Sequence, residues 1–292
     1  MESAASMVKD EFETAYLRVS LQERLINCEN RDVAPLFKRW IPTHQPVLEA
    51  GAGAGIWVAW FVLKGWKAVG LEWSRALCVQ AKEKIPEAFF VTGDMRYMPF
   101  ADGAFGSIVA LGSIEHLPEG PSAMLAEFKR VLKKDGIAVI TVPYHGPLRR
   151  FVRLVKLPLN KLRYSPVYRK IISSAPLSGT TLKAVARKTV RGWAVEFHHD
   201  EDGWHFYQYQ FTARQMRKLL LRAGLFILDE SVIMTDSGIY NTLGRFGGTY
   251  DPVSGIVTLS KIGKIIKKVL GTRLTGHMLC YVVCKDNSRL AV

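Results

Sequence analysis

No stretch of this chain is both long and apolar enough to cross a bilayer. The nearest approach, Gly103 to Ile114, is interrupted by Gly103, Gly106 and Gly112 and falls well short of the roughly 20 apolar residues a span requires. The N-terminus opens Met1-Glu2-Ser3 and soon reaches Lys9-Asp10-Glu11, without the basic cap or apolar run of a secretory signal, so a cytoplasmic protein is expected. Cysteine is scarce. Cys28, Cys78, Cys280 and Cys284 contain no Cys-x-x-Cys pair, which argues against a zinc ribbon or a disulfide framework and predicts ordinary core thiols. Internal repeats and low-complexity tracts are also missing. The most informative absence is local: between Asp135 and Glu196 there is no acidic residue, while twelve lysines and arginines fall in the same interval. The whole chain carries 40 basic against 26 acidic residues, a net charge of +14, which suggests an anionic partner such as a membrane surface or nucleic acid.

What is present is material for a core. The chain has 292 residues, 48% of them hydrophobic, enough for one large α/β domain or two small ones. From Pro46, short apolar runs alternate with helical patterns. Val47–Ala50, Ala68–Glu72, Phe89–Thr92, Ser107–Leu111 and Ile137–Val142 read as buried strands, and this alternation predicts a parallel sheet. Helices are expected at Gly55–Lys64, at Ser74–Lys84 with Ser74 as N-cap, and at Pro121–Leu132. Ahead of them, Val8–Trp40 has helical spacing. Prolines 143, 147, 158, 166 and 176 break up the basic stretch, which therefore cannot be one long helix and reads as an insertion. Regular structure returns with Thr212 capping a helix Ala213–Ala223, a strand Phe226–Val232 and a last strand Met278–Cys284. The chain accordingly divides into an N-terminal helical segment (1–45), a core of alternating strands and helices (46–142), a basic insertion (143–211) and a C-terminal part of the sheet (212–292) holding a second basic insertion (235–276).

The segment Glu49-Ala50-Gly51-Ala52-Gly53-Ala54-Gly55 places alternating glycines between the first strand and its helix, where backbone can approach a nucleotide-like ligand. A dinucleotide fingerprint would need its third glycine at Ile56, so NAD is the second choice. The next strand ends in Glu72, suited to both hydroxyls of an adenosine ribose, and the third ends at Gly93-Asp94-Met95, an acid suited to an adenine amine. Together with Gly70-Leu71-Glu72-Trp73-Ser74, Met98-Pro99-Phe100-Ala101-Asp102-Gly103-Ala104-Phe105, Glu115-His116-Leu117 and Arg130-Val131-Leu132-Lys133-Lys134-Asp135-Gly136, these motifs resemble the class I S-adenosylmethionine-dependent methyltransferases, especially the branch of quinone-biosynthesis and small-molecule enzymes. The resemblance covers about residues 45–145. It implies a Rossmann-like, seven-stranded, mostly parallel sheet with helices on both faces and the two insertions forming a cap. It further implies S-adenosyl-L-methionine as cofactor. Glu49, Gly51, Ala52, Gly53 and Gly55 would hold its methionine portion, Glu72 the ribose, Asp94 and Met95 the adenine, and Leu111 and Gly112 its inner flank, with Trp73 against the adenine or ribose. Ala52 and Gly106 depart from the residues common at those positions.

Methyl transfer needs alignment and exclusion of water more than a base; where a base is needed, histidine is the natural candidate. His116 and His145 follow the fourth and fifth strands. Within His198–Tyr209, an unusual concentration of histidines, acids and aromatics, His205 and Tyr207 are the remaining catalytic candidates, with Tyr209 as a further pocket residue. No metal is expected, because the ligand spacing there matches no familiar motif. Leu148–Leu157 and Lys261–Leu270 both read as basic amphipathic helices, the first opposing Leu148, Phe151, Val152 and Val155 to Arg149, Arg153 and Lys156. Two such elements suit reversible association with the anionic inner face of a membrane. The expected acceptor is a hydrophobic small molecule, a lipid intermediate or a lipid-linked glycan. Two alternatives compete: an RNA methyltransferase, disfavoured because the Asn/Asp-Pro-Pro-Tyr motif is absent, and a non-catalytic cofactor-binding domain with a membrane or partner role.

Overall fold

A computed structural model describes residues 13–14, 16–17, 21–163, 185–200, 203–251 and 254–286. The N-terminal segment is broken where one helical pattern was expected: α1 (Leu21–Ile26), a 3-10 turn (Cys28–Asn30) and α2 (Ala34–Trp40), with Pro35 in the first turn of α2. The start of that pattern lies outside the described residues.

The apolar runs become β1 (Val47–Ala50), β2 (Ala68–Glu72), β3 (Phe89–Thr92), β4 (Phe105–Leu111) and β5 (Leu132–Pro143). Strand β5 begins five residues earlier than expected, because Leu132 pairs with Phe105 before the irregularity that admits Lys133–Gly136. Between these strands lie α3 (Ile56–Leu63), α4 (Arg75–Lys84) and α5 (Ser122–Val131). Helix α3 is apolar at every position, as a helix buried on nearly all sides must be; Trp57 to Phe61 are all buried. Phe37 of α2 packs edge-on against Trp57 with ring centroids 5.1 Å apart, and Trp60 stacks on Trp66 at 5.7 Å. Helix α4 starts as expected, with the Leu77 N–H donating to Ser74 Oγ at 3.1 Å.

After β5 comes α6 (Pro147–Arg163), which opens on a proline, where its missing N–H costs nothing, and runs on through Pro158. The basic stretch is thus not one long helix, as expected, although Pro158 itself does not interrupt α6. A three-stranded antiparallel meander follows, β6 (Val185–Val190), β7 (Trp193–Asp200) and β8 (Gly203–Gln210). The side chains from Lys156 to Lys188 and from His199 to Gly203 lie outside the described residues. Helix α7 (Ala213–Arg222) is closed at its start by a reciprocal Thr212–Gln215 capping box. Strand β9 (Phe226–Ile233) leads into the second insertion, made of α8 (Thr235–Leu243), a short hairpin of β10 (Gly248–Tyr250) and β11 (Val257–Leu259), and α9 (Lys261–Thr275). Strand β12 (Met278–Cys284) is buried along its whole length.

The seven long strands form one sheet in the order β3-β2-β1-β4-β5-β12-β9, parallel except for β12, which runs against both neighbours. One buried cluster unites α5, α7 and the meander with one sheet face; the other unites α2 and α3 with the opposite face. The four cysteines are all buried. No helix among the described residues is long and apolar enough to cross a membrane.

Candidate active site

The sheet order reverses between β1 and β4, and open α/β sheets bind ligands at the carboxyl edge of such a point. Gly51, Gly53 and Gly55, between β1 and α3, have φ of +82°, +53° and +74°. At Gly51 a side chain is excluded twice: the backbone is left-handed, and a Cβ would come 2.7 Å from that of Ser113. Glu72, 4% exposed at the tip of β2, ties this loop down: its Oε2 accepts the Gly53 N–H at 2.8 Å and its Oε1 the Ser74 N–H at 3.1 Å. Glu49 is also buried and accepts the Val58 N–H at 2.9 Å, in the first turn of α3. Burial raises both carboxyls above their ordinary range, Glu49 the further, against the opposing pull of these backbone donors.

Ser113 Oγ donates to the Ala50 carbonyl at 3.0 Å, and the Gly112 N–H to the Thr141 carbonyl at 3.1 Å, so the tips of β1, β4 and β5 are locked together. Met95 reaches over from β3, its Cε 3.7 Å from the position a Gly51 Cβ would take. Thus Glu49, Gly51, Ala52, Gly53, Gly55, Glu72, Trp73, Met95, Leu111 and Gly112 share one edge. Asp94 is on the same edge, but its carboxylate is gripped by the Arg96 guanidinium at 2.7 to 3.1 Å. Tyr16 lies across Gly53, 3.1 Å from where a Cβ would stand, and Glu13 accepts the Ser74 hydroxyl at 2.6 Å. Although 38% of Tyr16 is accessible, its phenol is raised above its usual value, first by desolvation and then by the Glu72, Glu49 and Glu115 carboxyls.

The four catalytic candidates fall in two places. His116 and Tyr207 meet: the ring Nδ1–H donates to the Tyr207 carbonyl at 2.8 Å, and the two rings make an edge contact at 5.4 Å. Burial lowers His116 to about 4 and raises Glu115 to about 8, so their 3.7 Å approach at neutral pH joins two uncharged groups. Tyr207 also stacks on His198 at 3.8 Å, and His198 pairs with His205 across the β7–β8 hairpin. Tyr209, expected to line a pocket, is core: it is 1% exposed and its hydroxyl donates to the Pro118 carbonyl at 2.6 Å. The meander thus braces the loop after β4. His145 stands apart beneath α6, 3.3 Å from Arg153 and lowered to about 4 by burial and then by Arg153. The basic row of α6 turns inward here: Arg153 also donates to Gln210 Oε1 at 2.7 Å, while Phe151, Leu154 and Val155 face solvent.

A cavity of about 1030 Å³ opens beside the glycine loop. Its walls include Glu49, Gly51, Ala52, Leu111 and Thr141 on the sheet edge, Arg24, Asn27 and Arg31 from the N-terminal segment, and Met234, Asp236, Ile256 and Lys267 from the second insertion, together with His277. Among the described residues, none of His116, His145, His205 and Tyr207 is part of this wall. Met234 adopts a left-handed φ of 57° that is rare for such a residue, and its N–H donates to Asp32 Oδ2 at 2.6 Å, tying the second insertion to the N-terminal segment. Sequence reasoning missed Tyr16, Asp32, Met234 and His277; none of them stands in a pattern, and only folding brings them to the sheet edge.

Residues 48–140 match the family model described as "Methyltransferase domain". A demethylmenaquinone methyltransferase of Renibacterium salmoninarum is 32% identical over 108 residues, 36% of this chain and 45% of that protein, so the match spans under half of the relative's length. The fold is similar to that of the PH0226 protein of Pyrococcus horikoshii (TM-score 0.54, 15% identity, covering 87% and 88% of the two chains). It is also similar to that of an S-adenosylmethionine-dependent methyltransferase of Methanosarcina mazei (TM-score 0.51, 15% identity, 85% and 96%).

Proposed function

We propose that this chain, whose residues 48–140 match the methyltransferase-domain family, is a class I, S-adenosylmethionine-dependent enzyme that methylates a hydrophobic small molecule. One observation carries this reading: the glycine loop, pinned by the buried Glu72, shares Glu49, Gly51 and Ala52 with a cavity whose other walls include Val33, Ile56, Trp57, Val232, Ile233 and Met278. A polar nucleoside site thereby adjoins a cavity that sets these apolar residues beside the polar Arg24, Arg31, Asp236 and Lys267. The residues fit the cofactor. In this reading Glu72 receives the ribose hydroxyls, the Glu49 and Gly51–Gly55 edge the methionine portion, Met95 and Asp94 the adenine, Trp73 one face of the nucleoside, and Leu111 and Gly112 its inner flank, with Asp94 released from Arg96. When bound, the cofactor supplies an electrophilic methyl group; the chain's task is to align the acceptor and keep water out. In this reading His116 and Tyr207 position the loop after β4, and proton transfer at neutral pH is not asked of a ring held near 4.

The proposal extends to a lipophilic acceptor met at an anionic membrane face. Phe151, Leu154 and Val155 on α6 and Ile262, Ile265 and Val269 on α9 are all more than half exposed, the two helices touch, and Lys261, Lys264 and Lys268 flank the α9 row. Helix α9 also sends Lys267 and Thr272 to the cavity, so the apolar rows lie near its mouth. Burial of these side chains in lipid, with attraction of the lysines, would hold the protein reversibly.

The test supplies labelled S-adenosylmethionine and reduced demethylmenaquinone, then separates lipid, polar and nucleic-acid fractions. Label in the lipid fraction is expected; label in RNA, or binding of S-adenosylhomocysteine with no methylated product from any fraction of a cell extract, refutes the reading. Co-sedimentation with phosphatidylglycerol vesicles should weaken with salt and be lost in Ile265→Glu/Val269→Glu.

A further inference from the structure

His277 stands immediately before β12, its backbone locked on both sides: its N–H donates to the Ile233 carbonyl at 3.0 Å and its carbonyl accepts the Tyr144 N–H at 2.8 Å. His277 is also part of the wall of the cavity beside the glycine loop. Behind it, Arg149 Nη2 approaches the ring Nδ1 to 2.5 Å, while Arg149 Nη1 donates to the Tyr144 carbonyl at 3.1 Å. A guanidinium has hydrogens but no available lone pair, so Nδ1 must accept, and the proton of the neutral ring is then on Nε2. Burial, and then the Arg149 charge, keep the ring neutral by lowering it to about 4. The result is an N–H polarised by a cation behind it.

We propose that His277 recognises an oxygen atom of the methyl acceptor, donating through Nε2–H to a carbonyl or phenolate-type oxygen. Both acids that the wall brings from its two sides, Asp236 and Asp32, are already engaged. Asp236 pairs with Lys267 at 2.7 Å, and Asp32 accepts the Met234 N–H. Asn241 Nδ2 stands 3.5 Å from both ring nitrogens, beyond the range of a good hydrogen bond. The same geometry excludes His277 as a general base at neutral pH, since Nδ1 is occupied by Arg149 and Nε2 already carries a proton. Its place is that of an electrostatic donor, holding the acceptor by its most electron-rich atom and stabilising negative charge there.

The inference rests on the proposed methyltransferase reading and sharpens it to an acceptor that presents an oxygen to Nε2–H. Two probes that differ in one group test it: 1-naphthol and the similarly shaped 1-methylnaphthalene, titrated into the full chain saturated with S-adenosylhomocysteine. The wild type should prefer 1-naphthol by about tenfold, as expected for one polarised hydrogen bond. His277→Leu should abolish that preference, and His277→Gln, which keeps an N–H donor, should retain most of it. S-adenosylhomocysteine affinity should be the same in all three proteins, which reports that the fold is intact. Persistence of the preference in His277→Leu, its absence in the wild type, or failure of both probes to bind overturns the inference while leaving the cofactor site standing. Failure of the wild type to bind S-adenosylhomocysteine overturns the reading beneath it.

Discussion

Replacing Glu115 with glutamine should flatten the alkaline limb of the protein's stability. Glu115 is 1% exposed, its Oε2 has no hydrogen-bond partner among the described residues, and burial raises its carboxyl from 4.5 to about 8. Between those two values the folded state keeps the proton and the unfolded state has lost it. Stability from this group is therefore present at low pH and declines as pH rises, by up to about 1.4 kcal/mol per unit. From pH 6 to pH 8, with half the folded molecules ionised at the upper end, the decline integrates to about 2 kcal/mol. Glu49 and Glu72, also raised, act in the same direction. His116, His145 and His277, each lowered to about 4, act in the opposite direction. Their contribution is complete above the unfolded histidine value of about 6.5 and is lost only as pH falls below it. Because Glu115→Gln keeps all three histidines, their contribution cancels in the difference between the two proteins. Urea unfolding at pH 6, 7 and 8 and constant ionic strength measures the slope for wild type and Glu115→Gln, an isostere that cannot ionise. The variant should lose about 2 kcal/mol less across that range; parallel lines for the two proteins would refute the reasoning.

Two further substitutions probe the cleft and the core. Glu72→Ala should weaken S-adenosylhomocysteine binding by about 1.5–3 kcal/mol, the range for lost charge-assisted hydrogen bonds, and calorimetry showing unchanged affinity would remove Glu72 from the site. Phe37→Ala, deleting a fully buried ring wedged against Trp57 and Phe61, should cost about 3–5 kcal/mol by urea unfolding; a cost below about 1 kcal/mol would mean that α2 does not help close the core.

The parallel half of the sheet was legible because each of its strands is a short apolar run bounded by turn residues, and burial on both faces of β1 and β4 leaves a period-free signal. The glycine loop with Glu72 was legible for a related reason: its parts lie on consecutive strand tips, so sequence spacing maps directly onto space. The orientation of α6 was not. Its pattern states that two faces differ, but which one turns inward depends on Gln210 and His145, which offer Arg153 hydrogen-bond partners that an apolar side chain could not use. The histidine-rich segment drew attention by composition, yet strand pairing places His198 opposite His205 in a hairpin whose ends are anchored on the loop after β4. His277 drew none, because it is a lone histidine whose partner Arg149 is 128 positions away. Only the adjacency of β5 and β12 brings the two together.

The reversed strand β12 has an evolutionary consequence. Met278 is paired with Ile233 on one side and Pro143 on the other, so the chain leaves the sheet after β9 and rejoins it at the same edge. Residues 234–277 are therefore a cassette with fixed, adjacent ends. Lengthening a segment whose ends already meet costs little, since closure entropy grows only with the logarithm of its length. Selection can rebuild the cavity wall there, residue by residue, without touching the strands that carry Glu49 and Glu72, so a single sheet can be fitted with cavities of different shape and charge.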